Sequence, residues 1–239
     1  MATALLLLAL AQGAQCSPEA IALMKTATER AALFDLAGAV QRMQAAAKSG
    51  CADALLPALY LRGWIAARDA YRVGGSPESL RQVSQSIATM QETLGKSGQP
   101  QIAALVLQAA AAAAQSERDE LALMIDYAVQ LEDRNLTSKL PALPMITAHE
   151  AAGDLWLQVH RYDDARRAYA KAAERIGVTP RITLGLARLA ARVDALATAC
   201  KQYQTLVTSW KAAGPEPPEL SEARMFLTNP ACQGLATPR

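Results

Sequence analysis

The sequence predicts an all-α fold of about eleven helices that follow one another as antiparallel hairpins. About a fifth of the 239 residues are alanine, which has the highest intrinsic helix propensity and lets helices approach closely. The signals of β-structure are missing, since no sustained period-two alternation or Asn-Gly or Asp-Gly turn joins β-branched segments. Helix start and stop signals instead recur along the whole chain.

Several helices begin with the same combination of residues. Ser17-Pro18-Glu19 and Ser76-Pro77-Glu78 each supply a serine N-cap, a proline at the first helical position and an acid in the first turn. Helix ends are predicted at glycines such as Gly50, Gly74, Gly177 and Gly214. The helices predicted between these signals are 17–33, 35–48, 53–73, 77–95, 100–115, 117–133, 145–160, 162–176, 180–193, 195–213 and 218–228.

The lengths of the connections predict how these helices are arranged. Short connections make consecutive helices antiparallel neighbours, and pairs recurring every 35–45 residues indicate a solenoid in which each hairpin buries its apolar face against the next. The one long break, 135–144, contains two prolines in PALP. We therefore expect N-terminal hairpins in 17–134 and C-terminal hairpins with a capping helix in 145–232, as two halves of one superhelix.

One segment carries a recognisable spacing of small and aromatic residues. Ala165, Tyr169 and Ala172 follow Gly153 at offsets of 12, 16 and 19, and Trp156 lies at offset 3. This spacing resembles the tetratricopeptide repeat, a helical hairpin of 34 residues. The resemblance implies a right-handed superhelix in which these five residues pack one hairpin together, and it implies protein–protein interaction as the function.

Members of that family bind partners in a concave groove lined by the first helix of each hairpin. The resemblance implies that Glu150, Asp154, Leu157 and Gln158 face this groove and bind a protein or peptide. The basic and Asn positions with which some members hold a terminal carboxylate are not matched, because Glu150 and Asp154 are acids. A basic or neutral partner is therefore expected on electrostatic grounds.

The four cysteines are placed as two matching pairs. Cys16 precedes the first predicted helix and Cys51 follows the second, so an antiparallel hairpin brings both to the same end. Cys200 and Cys232 repeat this geometry near the other terminus. The spacing predicts two disulfides, and with them an oxidising compartment. The alternative is four unpaired thiols.

Residues 1–16 form a possible, atypical signal segment. An apolar run from Ala4 to Ala11 ends in the A-x-A form of a signal-peptidase site, which favours a periplasmic or secreted bacterial protein. No Lys or Arg precedes Lys25, so the usual basic region is missing, and a cytoplasmic protein with an apolar first turn is the alternative. The run is too short to span a bilayer, so no transmembrane segment is expected.

Charge and motif content narrow the class of function. The formal net charge is +2, from 24 basic and 22 acidic residues that are interspersed, so nucleic-acid binding is not expected. His149 and His160 would lie about 16 Å apart along one helix and cannot ligate one metal. Catalytic motifs such as GxSxG, HExxH and CxxC are missing. We expect a non-enzymatic interaction scaffold without metal or cofactor; the alternatives are a structural subunit of an envelope assembly and an accessory domain of an enzyme.

Overall fold

The structure, a computed structural model, describes residues 16–137, 146–210 and 216–233. These residues form twelve α-helices, one 3₁₀ turn at Ala52–Ala54 and no strand. The helices are α1 (Pro18–Ala32), α2 (Leu36–Lys48), α3 (Leu55–Arg72), α4 (Pro77–Leu94), α5 (Gln99–Ala114), α6 (Arg118–Thr137), α7 (Ala148–Gln158), α8 (Tyr162–Ile176), α9 (Pro180–Arg192), α10 (Leu196–Ser209), α11 (Pro218–Leu227) and α12 (Pro230–Gln233). The predicted signal segment and the PALP sequence lie outside the described residues.

The all-α prediction is confirmed, and each of the eleven predicted helices has a counterpart. Helix α6 runs to Thr137, four residues beyond its predicted end, and the short helix α12 was not predicted. The predicted caps account for the starts: the Ser17 hydroxyl accepts a hydrogen bond from the Ala20 amide at 3.1 Å, and Ser76 does the same for Ser79 at 3.4 Å. These bonds satisfy amides that have no partner inside the helix.

The first five hairpins, from α1–α2 to α9–α10, turn in the same way. Each turn has a residue with a positive φ at the same position, Phe34, Gly74, Ser116, His160 or Asp194, and in the α3–α4 turn Gly75 has a positive φ as well. The amide of the following residue donates to the carbonyl five positions earlier, as in Asp35 to Arg30, Gly75 to Ala70, Glu117 to Ala112, Arg161 to Trp156 and Ala195 to Ala190, at 2.8–3.0 Å. This is the Schellman motif, which closes a helix end with a left-handed residue.

The hairpins pack in chain order. The second helix of each hairpin contacts the first helix of the next, from α2 with α3 to α10 with α11. The first helices also contact one another in line, α3 with α5, α5 with α7 and α7 with α9. The first helices α3, α5, α7 and α9 therefore contact one another in a row.

Alanine lets these helices approach closely. Ala27, Ala39, Ala103 and Ala165 are fully buried, and they belong to one apolar cluster that begins in α1 and reaches α8 and α9. A second cluster joins α9, α10 and α11. The first cluster includes residues on both sides of segment 138–145, so the two predicted halves share one core.

A buried carboxylate links the same two halves. Glu132, near the end of α6, accepts hydrogen bonds from the amides of Ala148 at 3.0 Å and His149 at 3.4 Å. These are the first two amides of α7, whose partial positive charge favours a carboxylate. The guanidinium of Arg175 in α8 also lies 3.5 Å from the Glu132 carboxylate. The joint is thus held by charge as well as by apolar packing.

Both predicted cysteine pairs lie at disulfide distance. The Cα atoms are 4.6 Å apart in Cys16–Cys51 and 5.4 Å apart in Cys200–Cys232. All four cysteines of the chain are paired, which fits a protein of an oxidising compartment.

No helix in the described parts of the chain combines the length and the apolar character needed to cross a bilayer.

Candidate functional site

An open cavity lies among the described residues, against the first helices α3, α7 and α9. Its volume is about 510 Å³, within the range of small-ligand pockets. Residues of α3, α7, α9, α10 and α11 line it, together with the turn between α1 and α2. Helices distant in sequence thus surround one space.

Contacts between the two ends of the chain bound this cavity. The ring of Phe34, in the α1–α2 turn, stacks on Trp210 beyond α10, with centroids 5.8 Å apart and an interplanar angle of 15°. Arg68 of α3 forms an ion pair with Glu219 of α11 at 3.5 Å. The first hairpins therefore touch the last ones across the cavity.

Three of the four residues predicted to face a groove line the cavity. They are Asp154, Leu157 and Gln158, and the backbone carbonyl of Gln158 also accepts a hydrogen bond from the Tyr71 hydroxyl at 3.0 Å. Glu150 departs from the prediction, since it is 2% exposed and its carboxylate is bound at 2.6 Å by the Arg181 guanidinium. Glu150 lies one turn before Asp154 on α7, and its side chain contacts α9 instead of solvent.

The positive charge of Arg181 balances the buried carboxylate of Glu150. Burial raises the pKa of this carboxyl, and the nearby Arg181 charge opposes that rise. Arg181 itself is only 10% exposed and lies 3.9 Å from Asp154 as well. Burial disfavours its charge, but the two carboxylates outweigh burial and raise the pKa of the guanidinium. Arg181 is therefore a fixed cation at the cavity wall.

A second ion pair lies two turns further along α9. Arg188 of α9 donates two hydrogen bonds to Glu222 of α11, at 2.9 and 2.5 Å, and the Tyr203 hydroxyl donates a third at 3.0 Å. Partial burial would raise the pKa of Glu222, but Arg188 and Tyr203 outweigh it and lower the pKa below its ordinary value. A bidentate pair of this kind fixes the orientation of both side chains.

Arginines outnumber carboxylates among the residues that line the cavity, although Glu150 and Asp69, outside the lining, also pair with Arg181 and Arg72. Five arginines and three carboxylates line the cavity. The arginines are Arg68, Arg72, Arg181, Arg188 and Arg192, and the carboxylates are Asp154, Glu219 and Glu222. Each carboxylate forms an ion pair with an arginine of the wall. The expectation of a basic or neutral partner rested on Glu150 and Asp154, both of which lie beside Arg181.

Helical spacing was the available signal for these arginines. Arg181, Arg188 and Arg192 are seven and four positions apart, and Arg68 and Arg72 are four apart, so each set lies on one face of its helix. Spacing alone does not show that the faces of α3 and α9 meet, because the two helices belong to different hairpins.

Two residues of the repeat-like spacing, Gly153 and Tyr169, contact each other next to Asp154. Tyr169 is fully buried between two glycines: a Cβ atom on Gly153 would lie 2.5 Å from its ring, and one on Gly185 would lie 2.3 Å from its Cζ. Its hydroxyl donates to Asp154 at 2.7 Å. Ala165 and Ala172 are fully buried, and Trp156 is 5% exposed. These residues position Asp154 at the wall.

The two histidines occupy different environments. His149 is 5% exposed and its Nε2 lies 2.8 Å from the Asp133 carboxylate, which Arg175 also contacts. His160 is exposed in the α7–α8 turn and lines the cavity.

No protein-family model, curated protein or solved structure matches the chain.

Proposed function

We propose that the protein is a non-enzymatic interaction scaffold that holds a short segment of a protein or peptide partner in the cavity. The observation that carries the proposal is the cavity itself, lined by α3, α7 and α9, the first helices of three different hairpins. A volume of about 510 Å³ suits a few residues of an extended chain better than a folded domain.

The proposal includes a repeat architecture of the tetratricopeptide type, wound as a right-handed superhelix. Five hairpin turns that each have a residue with a positive φ at the same position support it. The contacts of α3 with α5, α5 with α7 and α7 with α9 support it as well. The packing of Tyr169 against Gly153 and Gly185 is the close helix approach that such a repeat requires. In solenoids, small rotations between repeats create a concave surface.

The ionisable groups of the cavity favour binding over proton transfer. Burial and the nearby Glu222 raise the pKa of Tyr203, so the phenol remains protonated, while Glu222 remains ionised. A general acid or base works best with a pKa near the working pH, and these shifts move both groups away from neutrality. Fixed charges of this kind suit recognition of a charged partner.

We place the protein in the periplasm or outside the cell. The two disulfides support an oxidising compartment.

A structural subunit of an envelope assembly is the second candidate. Leu123 and Tyr127, four residues apart on α6, are 67% and 41% exposed and share one helix face. An outer apolar face of this kind would contact a neighbouring subunit instead of a ligand in the cavity.

Site-specific photocrosslinking separates the two candidates. A benzoylphenylalanine at Gln158 would report contacts in the cavity, and the same residue at Leu123 would report contacts of the outer face. We expect a discrete crosslinked polypeptide from position 158, abolished by a synthetic peptide copied from the crosslinked segment. Crosslinks from position 123 alone would favour the assembly subunit, and no crosslink from position 158 would contradict the proposed function.

A further inference from the structure

We infer that the segment bound in the cavity carries carboxylates, and that Arg72 and Arg192 bind them. This inference rests on the proposed function and specifies the chemistry of the partner. It departs from the sequence-based expectation of a basic or neutral partner, because the structure adds arginines from α3 and α9 to a wall whose acids are already paired.

The carboxylates of the wall are engaged by other residues. Asp154 accepts a hydrogen bond from Tyr169 at 2.7 Å and lies 3.9 Å from Arg181. Glu222 is held by Arg188 through two hydrogen bonds, and Glu219 lies 3.5 Å from Arg68. A cationic ligand would have to compete with these arginines for each acid. The wall therefore offers no free anionic site to a basic peptide.

Two arginines of the lining are available. Arg192 has no ion-pair partner within the described parts of the chain. Arg72 lies 3.8 Å from Asp69, but the two side chains are 63% and 56% exposed, and an exposed pair of this kind is weak and easily exchanged for another. Both guanidiniums can therefore turn toward a ligand with little loss of existing contacts.

The two arginines lie at the same edge of the cavity. Arg72 is the last residue of α3 and Arg192 the last of α9, and both line the cavity. The hydrogen bond from Tyr71 to the Gln158 carbonyl joins the ends of α3 and α7 on this side. We call this side, with Phe34 and His160 of the adjoining turns, the turn edge. An arginine planar fork suits bidentate binding of a carboxylate.

The cavity also has apolar side chains in its lining. They belong to Phe34, Leu157, Leu184 and Ala191. A peptide with apolar side chains beside its carboxylates would match both parts of the cavity. The carboxylates can belong to Asp and Glu side chains or to the chain terminus, and both sources offer the same chemistry to the arginines.

Titration calorimetry with four pools of hexapeptides tests the inference. All pools contain the same mixed apolar residues and differ at two positions and at the C-terminus. Three pools have an amidated C-terminus and carry Glu, Gln or Lys at the two positions. The fourth pool carries Gln there and has a free C-terminal carboxylate. We expect the Glu pool to bind at least about tenfold more tightly than the amidated Gln pool at low salt, because two screened ion pairs are added. The Lys pool should bind weakest, and the free-terminus pool shows whether a terminal carboxylate suffices.

Variants of the full chain assign the effect to the turn edge. Arg72→Gln and Arg192→Gln should each weaken binding of the Glu pool by about three- to tenfold and leave the amidated Gln pool unchanged. The matched control is Arg166→Gln, an exposed arginine of α8 paired with Asp163 and absent from the lining. Unchanged helical circular dichroism and melting temperature show that each variant is folded.

The outcomes separate this inference from the proposed function. Equal binding of the Glu and amidated Gln pools, abolished by Gln158→Trp, would overturn the inference and leave the scaffold proposal standing. Tighter binding of the Lys pool would overturn it in the same way. Binding of no pool would contradict both, and an acidic preference unaffected by either arginine variant would remove the assignment to Arg72 and Arg192.

Discussion

Tyr169 lies between two helices whose nearest residues, Gly153 and Gly185, have no side chain. A Cβ atom on Gly185 would approach the Tyr169 ring to 2.3 Å, well inside van der Waals contact, and the buried ring has no free space into which to move. We predict that Gly185→Ala lowers the free energy of unfolding by about 2 kcal/mol, since overpacking outweighs the higher helix propensity of alanine. Urea denaturation followed by circular dichroism measures the change.

The same measurement in a Tyr169→Leu background is the control. Leucine is shorter than tyrosine and leaves room for the new methyl group, so Gly185→Ala should cost about 1 kcal/mol less there than in the native background. An equal loss in both backgrounds would show that the contact with Tyr169 is not the cause.

Glu222 makes an acid-dependent contribution to stability. Its pKa is lower in the folded protein than in the unfolded chain, so its stabilisation is present above the unfolded value, near 4.5, and is lost as the pH falls through the lower folded value. We predict that Glu222→Gln lowers the free energy of unfolding by about 1–2 kcal/mol at pH 7 and that the difference disappears at the acid end. Denaturation midpoints measured at several pH values test this.

An exposed carboxylate provides the comparison for Glu222. Glu174→Gln removes the solvent-exposed pair with Lys171 and should change the pH profile less. A difference between wild type and Glu222→Gln that persists at low pH would point to a packing effect instead of the charge.

Part of the site could be predicted at the residue scale. Asp154, Leu157 and Gln158, which the resemblance to the tetratricopeptide repeat implied for a groove, line the cavity. Glu150 lies on nearly the same face, but its position one turn earlier brings it against α9 and Arg181. The residues that face α7 from other hairpins are determined by how all the hairpins pack together. The spacing of residues within one helix does not predict that packing.

At the scale of elements, the hairpin turns carry left-handed residues other than glycine. Ser116 has φ 64° and its side chain is exposed, in a conformation that a β-branched residue adopts only at a cost. We predict that Ser116→Val destabilises the protein by about 1–2 kcal/mol, whereas Ser116→Gly leaves its stability equal or slightly higher. Thermal denaturation of the two variants measures the difference, and similar melting temperatures would contradict the assigned turn.

Helix bounds were predictable where capping residues mark them. Serine, proline and glycine signals placed the starts of α1 and α4 and the ends of α2 and α8. The extension of α6 was missed because Glu132 and Asp133 engage α7 and α8, and such tertiary contacts add helical turns beyond a propensity-based end. Helix α12 has four residues, too few for a periodic pattern.

At the scale of the molecule, contacts between the first and last hairpins determine how far the cavity is open. The Phe34–Trp210 stack joins residues 176 positions apart, and the pair Arg68–Glu219 supports it. The two residues of each contact belong to different hairpins, so this contact could not be predicted from any one hairpin.

We predict that Phe34→Ala opens the cavity further without unfolding the protein. Loss of the stacked ring should raise the accessibility of Trp210 to iodide quenching and increase the radius of gyration in small-angle scattering. Trp64 and Trp156 are buried and contribute a constant background. Val73→Ala, at a position 68% exposed, is the control, and unchanged quenching in Phe34→Ala would show that the stack does not hold the ends together.

The two disulfides also affect where the protein begins to unfold. A linear stack of hairpins normally frays from its ends, where each helix has a neighbour on one side only. Here Cys16–Cys51 ties the first hairpin and Cys200–Cys232 ties the last, so both ends are covalently held while the middle is not. Local opening should therefore start between α4 and α6. Amide hydrogen exchange under native conditions would then show the least protection in the interior of the stack, with fraying restored at the ends after reduction.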